Sequence, residues 1–357
     1  MKLLKTISAA AISLAVLGLS VTASANEENL PVIQGINSVV VFGDSLSDTG
    51  TITFLLRGVN QFNRGQGIPE VAVRGPRRFS NGDLWVDYLS ESLNVPQFNF
   101  AVSGARAVGH DSALLQQSAQ DGLFLREGYT ELGLYGQVQN YVTNFSGDKA
   151  TALHTILIGG NDIIGFLEGN SDLTNRQQVV ERIVSVISAS VFQLGSAGAK
   201  NIVVLTLPEI GDLPRFSISS ALRGKSEEAN LIVELVNRGL QDAFYKESRL
   251  TNLGYNVTTV NGARFFNNIS SSGQFANPQQ TWLQVIEQNG QISLVPDANG
   301  SPQVNGNPED FIFWDSIHPT TRTHQLLSDQ VLGELQQQSH CFANVANCSV
   351  SYELKLQ

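Results

Sequence analysis

Cysteine is nearly absent from this chain: its 357 residues hold two, Cys341 and Cys348. That excludes a disulfide-built scaffold, an iron–sulfur site and an all-cysteine zinc site. Charge is scarce at 15% of residues, and positive charge is scarcest, with 22 Lys and Arg against 32 Asp and Glu for a net of −10. A chain this acidic, with no basic run, is a poor nucleic-acid binder. Charge alone does not draw it to anionic membranes either. The sequence holds no H-E-x-x-H, C-x-x-C, G-x-x-x-x-G-K-[ST] or G-x-G-x-x-G motif. No metal site and no cofactor is therefore expected. There is no repeat period and no heptad run. Beyond the first 25 residues no stretch reaches the ~18 apolar residues of a membrane-spanning helix.

What is present is apolar. Hydrophobic residues make up 42% of the chain, enough for a large core. The length fits two domains of ~150 residues or one larger α/β domain. At the start, Lys2 and Lys5 precede an apolar stretch from Ile7 to Leu19 that ends in Ala23-Ser24-Ala25. This is the pattern of a cleaved secretory leader over residues 1–25, and it predicts a secreted or periplasmic protein. Export also permits a disulfide between Cys341 and Cys348, with free thiols as the alternative.

Short β-branched runs predict buried strands at Ser38–Phe42, Phe98–Ala101, His154–Ile158, Ile202–Leu207 and Tyr255–Val260. Helical spacing recurs between them. It joins Leu84, Trp85, Tyr88, Leu89 and Leu93, then Val180, Ile183, Ile187, Val191 and Leu194, then Ile232, Leu235, Val236, Leu240 and Phe244. A last helix is expected after Pro319, with proline in its first turn and Leu326, Leu327, Val331, Leu332 and Leu335 inward. Strands alternating with helices argue for βαβ units and a parallel sheet. One domain over 33–357 is expected, with a long polar insertion at about 262–312. That insertion reads either as a surface excursion with its own small core or as a flap beside the site.

Four short blocks carry chemistry. In Val39-Val40-Val41-Phe42-Gly43-Asp44-Ser45 an apolar strand runs into a tight turn bearing a serine. A serine there stands over the crevice where open α/β sheets bind ligands. A hydroxyl becomes a nucleophile when a base takes its proton, and a histidine base needs an acceptor to fix its tautomer. Asp315 and His318 are three apart, so one turn can place both on the same side. His110, His154, His324 and His340 have no such context and read as structural or surface residues. Asn99-Phe100-Ala101-Val102-Ser103-Gly104 and Gly159-Gly160-Asn161-Asp162 each follow a strand. The Gly104 amide and the Asn161 side chain are candidate donors, with the Ser45 amide, to a developing oxyanion. A glycine turn and an asparagine helix cap are the plainer readings of these two.

Together the blocks resemble the GDSL, or SGNH, hydrolases. Gly43-Asp44-Ser45-Leu46, Asn99 to Gly104, Gly159-x-Asn161-Asp162 and Asp315-x-x-His318-Pro319 stand in family order. The resemblance implies a flavodoxin-like three-layer α/β/α sandwich with a central parallel sheet. It implies Ser45 as nucleophile, His318 as base and Asp315 as its partner, with an oxyanion hole from Ser45, Gly104 and Asn161. Arg78-Phe79-Ser80-Asn81-Gly82, Leu207-Pro208-Glu209-Ile210-Gly211 and His318-Pro319-Thr320-Thr321 look like the lipolytic branch, which holds bacterial phospholipases A, lysophospholipases, sterol acyltransferases and haemolysins.

The expected function is a secreted serine ester hydrolase acting on a lipid or another small acyl ester, of phospholipase A or lysophospholipase type, with acyl transfer as a side activity. A monomer making transient contact with membranes or micelles is expected. A carbohydrate O-acetylesterase of the same family is one alternative, and a non-catalytic surface binding protein is another.

Overall fold

Ser38–Gly43 (β1) is an unbroken apolar run, and all six of its residues are buried. Such a run fits a strand covered on both faces. The computed structural model describes residues 35–53, 78–111, 132–250 and 254–343, and their side chains except at 245–250 and 338–343. The expected leader and Cys348 lie outside the described residues, as does the side chain of Cys341, and with them the expected disulfide.

Parallel strands flank β1 on both sides. Gln97–Asn99 (β2) lies on one edge, and Ala152–Leu157 (β3), Asn201–Leu205 (β4) and Asn256–Val260 (β5) follow on the other. The order is β2-β1-β3-β4-β5. The chain steps to β2 and then returns past β1 to β3, so the topological switch lies between β1 and β3. Ligands bind outside the carboxyl ends of the strands at such a point. Each expected strand is present, with its ends displaced by a residue or two. β4 ends at Leu205, opposite Val260, and the Thr206 amide still donates to the Val260 carbonyl of β5.

The period-two alternation divides the core. Val40, Phe42, Ile156, Ile202 and Val204 face one helical layer, made of Leu134–Asn144 (α2), Arg176–Ser196 (α4) and Ser226–Leu250 (α6). Val39, Val41, Leu153, Val203 and Leu205 face the other, made of Trp85–Ser92 (α1), Gly262–Ser271 (α7) and Thr321–Ala343 (α8). The result is the expected α/β/α sandwich. Each fully buried aliphatic side chain contributes roughly 1.5–3 kcal/mol. Gly160–Leu167 (α3) follows β3, and the short Pro214–Ile218 (α5) follows β4.

Three expectations need correction. By length and composition α4 is long and apolar enough to cross a membrane, contrary to the sequence reading. Its buried stripe of Val179, Ile183, Ile187, Val191 and Leu194 packs into the core, which makes it a core helix. Pro319 is not in the first turn of α8. It lies opposite Phe313 in an antiparallel bridge, and the helix begins at Thr321. The stretch 262–312 is not one excursion. Its start is α7, whose Phe265 and Ile269 join the main core together with Phe275. What projects is an arm built on Asn277–Thr281 (β6), which pairs with Phe311–Phe313 (β9), and on the hairpin of Val285–Gln288 (β7) and Gln291–Leu294 (β8).

Candidate active site

Gly43 ends β1 at φ +155°, and a Cβ there would run into the Leu157 carbonyl of the neighbouring strand. Only glycine lets the chain leave the sheet so closely. Gln137 of α2 holds this corner from the side. Its Oε1 accepts from the Gly43 amide at 2.9 Å and its Nε2 donates to the Gly43 carbonyl at 2.8 Å. The turn that follows is fixed by Asp44, which accepts from the Leu46 amide at 3.0 Å.

On this turn Ser45 Oγ lies 2.8 Å from His318 Nε2. His318 Nδ1 lies 2.8 Å from Asp315 Oδ2. The other carboxylate oxygen, Oδ1, accepts from the Ile317 and His318 amides at 2.8 and 2.7 Å. Asp315 thus shapes its own turn and orients the ring. With Nδ1–H donating to the carboxylate, Nε2 is left to accept from the serine hydroxyl. Burial works to raise the pKa of Asp315. The charge of His318 and the hydrogen bonds from the His318 ring, the His318 amide and the Ile317 amide outweigh it, so the net shift is below the ordinary value.

Block two closes the other side. Asp48 is a buried acceptor for the Gly50, Thr51 and Ile52 amides and for both the amide and the hydroxyl of Ser103, the last two at 2.8 Å. Asn99 Nδ2 donates to the Ser47 carbonyl at 2.7 Å. The two loops are therefore stitched together under the nucleophile. Gly104 follows at φ +83°. Among the described residues, neither its amide nor that of Ser45 donates to a hydrogen-bond acceptor. Asn161 Nδ2 donates to the Ala105 carbonyl at 2.9 Å, which places its side chain beside Gly104 and leaves its second N–H. Next to it, Asp162 accepts from the Ala107 amide, and burial pushes its pKa up to about 7. Asp44 is likewise raised to about 7 by burial, against the Leu46 amide and the charge of His318.

The blocks that resemble the lipolytic branch surround the histidine. The Phe79 ring lies over His318 with centroids 4.9 Å apart. Ser80 Oγ donates to the Pro319 carbonyl at 2.9 Å, and Asn81 Oδ1 accepts from the Thr321 amide at 2.9 Å. Arg78 forks onto Asp87 at the start of α1, at 2.7 and 3.0 Å. Just beyond β4, Leu207 exchanges hydrogen bonds with Asn237, and Arg215 of α5 donates its amide to the Ser316 carbonyl.

The structure brings Ser45, Gly104, Asn161, Asp315 and His318 to the carboxyl edge of the sheet, and the expected cysteine pair lies outside the described side chains. Sequence reasoning missed Gln137, the stitching role of Asp48, and His110. His110 is buried, and its Nε2 lies 2.6 Å from the Ser103 carbonyl. Burial lowers its pKa to about 4, so the neutral ring donates there. His154 and His324 are also buried, in the core. Gln137 has no local signal, because it sits 94 positions from the glycine it holds. Asp48 had one, the Ser47-Asp48-Thr49-Gly50 turn. Among the described residues no cluster of three metal-ligating side chains occurs.

The chain matches the sequence profile of the family described as GDSL-like Lipase/Acylhydrolase over residues 39–331. It is 29% identical over 306 residues to a thermolabile hemolysin of Vibrio parahaemolyticus, covering 83% of this chain and 63% of the hemolysin. It therefore spans less than two thirds of that relative. It is 25% identical over 336 residues to a GDSL esterase/lipase of Arabidopsis thaliana, covering 83% of this chain and 90% of the other. It is 23% identical over 335 residues to a phosphatidylcholine-sterol acyltransferase of Aeromonas hydrophila, with 86% and 92% covered. The profile match takes in the strand that leads to Ser45, all five strands of the sheet and the turn bearing Asp315 and His318, and on that ground the chain belongs to the GDSL lipase/acylhydrolase family.

Proposed function

We propose that the protein is a secreted or periplasmic lipid acylhydrolase of the phospholipase A or lysophospholipase type. The observation that carries the reading is the continuous line from Ser45 Oγ through His318 to Asp315, with both contacts at 2.8 Å. His318 takes the Ser45 proton as the hydroxyl oxygen attacks the acyl carbonyl. The negative charge that develops on the carbonyl oxygen meets the Ser45 and Gly104 amides and the Asn161 side chain, each donor worth on the order of 3 kcal/mol in the transition state. Asp315, held ionised by its low pKa, balances the imidazolium that forms. His318 then returns the proton to the leaving alcohol. Water repeats the sequence on the acyl-enzyme. An alcohol in place of water gives acyl transfer with the same residues.

The lipid preference is supported by the names of two relatives, a hemolysin and a phosphatidylcholine-sterol acyltransferase. The test is release of fatty acid from lysophosphatidylcholine and phosphatidylcholine, with acetylated xylan and Ser45→Ala alongside. Lipid-derived fatty acid that disappears in the variant is the expected result. Acetate from xylan without lipid turnover overturns the substrate, and turnover of no ester overturns the enzyme reading.

A further inference from the structure

The two nitrogen edges of the His318 ring are taken by Asp315 and Ser45, each at 2.8 Å. Its faces take no part in that line of contacts. The residue is buried, and an aromatic ring lies against the imidazole. The Phe79 and His318 centroids are 4.9 Å apart and the two planes are 36° from parallel, nearer to stacked than to edge-on. Trp314 is the second aromatic neighbour, with centroids 6.4 Å apart and planes at 57°. A cation is attracted by the quadrupole of an aromatic ring when it lies within about 6 Å of the centroid. Phe79 is inside that reach and Trp314 is beyond it.

Phe79 is held on both sides in sequence. Arg78 before it forks onto Asp87 of α1 at 2.7 and 3.0 Å. Ser80 after it donates to the carbonyl of Pro319, the residue that follows His318, and Asn81 accepts from the Thr321 amide. Gly82 closes the segment so tightly on α8 that a Cβ there would lie 2.8 Å from Thr321 Oγ1. The aromatic ring and the base are therefore fixed against the same stretch of backbone.

An aliphatic side chain could also cover the imidazole. What the phenyl ring adds is a face that is electron-rich at its centre. While the imidazole is neutral it gains little from that face. It becomes imidazolium when it takes the Ser45 proton, and again when it takes a proton from water attacking the acyl-enzyme. Positive charge thus develops beside the Phe79 ring only as each barrier is approached. An interaction that strengthens only there raises kcat and leaves affinity for the ester alone.

We propose that Phe79 is a positioning residue for the reaction, seating the imidazole of His318 and stabilising, through its π face, the imidazolium that forms there. This inference rests on the serine hydrolase reading above and adds a residue to it. It holds whether the acyl group comes from a lipid or from another ester.

The test places mono-, di- and trifluorinated phenylalanine at position 79 alone in the whole chain, and follows steady-state hydrolysis of soluble p-nitrophenyl butyrate. Each fluorine draws electrons from the ring face and leaves the shape of the ring nearly unchanged. Turnover is expected to fall stepwise with the number of fluorines, to a loss in kcat of about fivefold at three, with KM within about twofold and the urea midpoint unchanged. Phe79→Leu keeps apolar cover and removes the ring, and it is expected to lose about tenfold in kcat. If Phe79→Leu unfolds, the fluorinated series decides alone. A level kcat across the series, a loss carried by KM, or a folded Phe79→Leu within about twofold of the parent overturns the role of the ring. In each of these cases ester turnover by the parent that is abolished in Ser45→Ala leaves the hydrolase reading standing. A parent that turns over no ester, or turnover that survives Ser45→Ala, removes both.

Discussion

The imidazole of His110 fills the space where Gly104 would carry a side chain: a Cβ on Gly104 would lie 2.9 Å from His110 Cε1 and 3.0 Å from Nε2. The same ring reaches the Ser103 carbonyl, and Ser103 in turn is held by Asp48. A chain of buried contacts thus sets the peptide whose amide is proposed to face the oxyanion. Gly104→Ala adds both the clash and an unfavourable φ. It is expected to lower kcat by about a hundredfold or more with a smaller change in KM, as loss of an oxyanion donor does. His110→Phe keeps the bulk and removes the hydrogen bond. It should lower kcat less than Gly104→Ala, and steady-state kinetics on a soluble ester separates the two.

Asp315→Asn keeps an oxygen for the Ile317 and His318 amides but loses the charge opposite the ring. The expected loss in kcat is on the order of 10⁴, with the unfolding midpoint little changed. Parallel measurement of turnover and of urea denaturation checks both halves. A variant that keeps a tenth of the activity contradicts the proposed role.

Gln137→Leu strands the buried Gly43 amide, while the Gly43 carbonyl keeps the Val102 amide at 3.1 Å. An orphaned buried amide costs roughly 1–3 kcal/mol. Urea unfolding should show a destabilisation of that order. Turnover should fall as well, because Gly43 aims the turn that bears Ser45.

Asp44 and Asp162 bind their protons more tightly folded than unfolded, with pKa values of about 7 against an ordinary 3.8. Their contribution to stability is present at low pH and lost as pH rises from about 4 towards 7. Asp162→Asn retains an acceptor for the Ala107 amide and no longer ionises. Its stability should fall less steeply than that of the parent across this window, as denaturation at pH 4.5 and 7.5 would show.

His324 has the opposite sign. It is 1% exposed, neither ring nitrogen has a hydrogen-bond partner among the described residues, and burial lowers its pKa from 6.5 to about 3. The unfolded chain therefore takes up a proton that the folded one refuses, and stability is lost as pH falls below about 6.5. His324→Leu removes both the proton uptake and the two unpaired nitrogens. It should raise the thermal midpoint, more at pH 5 than at pH 8.

The middle of the sheet was legible in the sequence because β1, β3 and β4 are largely apolar runs buried on both faces, as in Val39-Val40-Val41. The residues of the site were legible because Ser45, Gly104, Asn161, Asp315 and His318 each stand in a short block whose chemistry is local. Gln137 and His110 were not, since what they hold is defined only after α2 and the Ala105–His110 turn have packed. The stretch after β5 misled for a related reason. Its polar composition hid α7, where Phe265 and Ile269 supply the buried face among asparagines and serines. Pro319 suited a helix start by its fixed φ, yet the ladder between Phe313 and Pro319 claimed it first.

The serine and histidine that touch at 2.8 Å are 273 positions apart in the chain. A ribosome must therefore synthesise all five strands of the sheet before the two can meet, and α8 must then settle against α1 and the sheet. A chain still in synthesis holds a serine with no base beside it. The nucleophile is made early and armed late, by the packing of the element that follows His318.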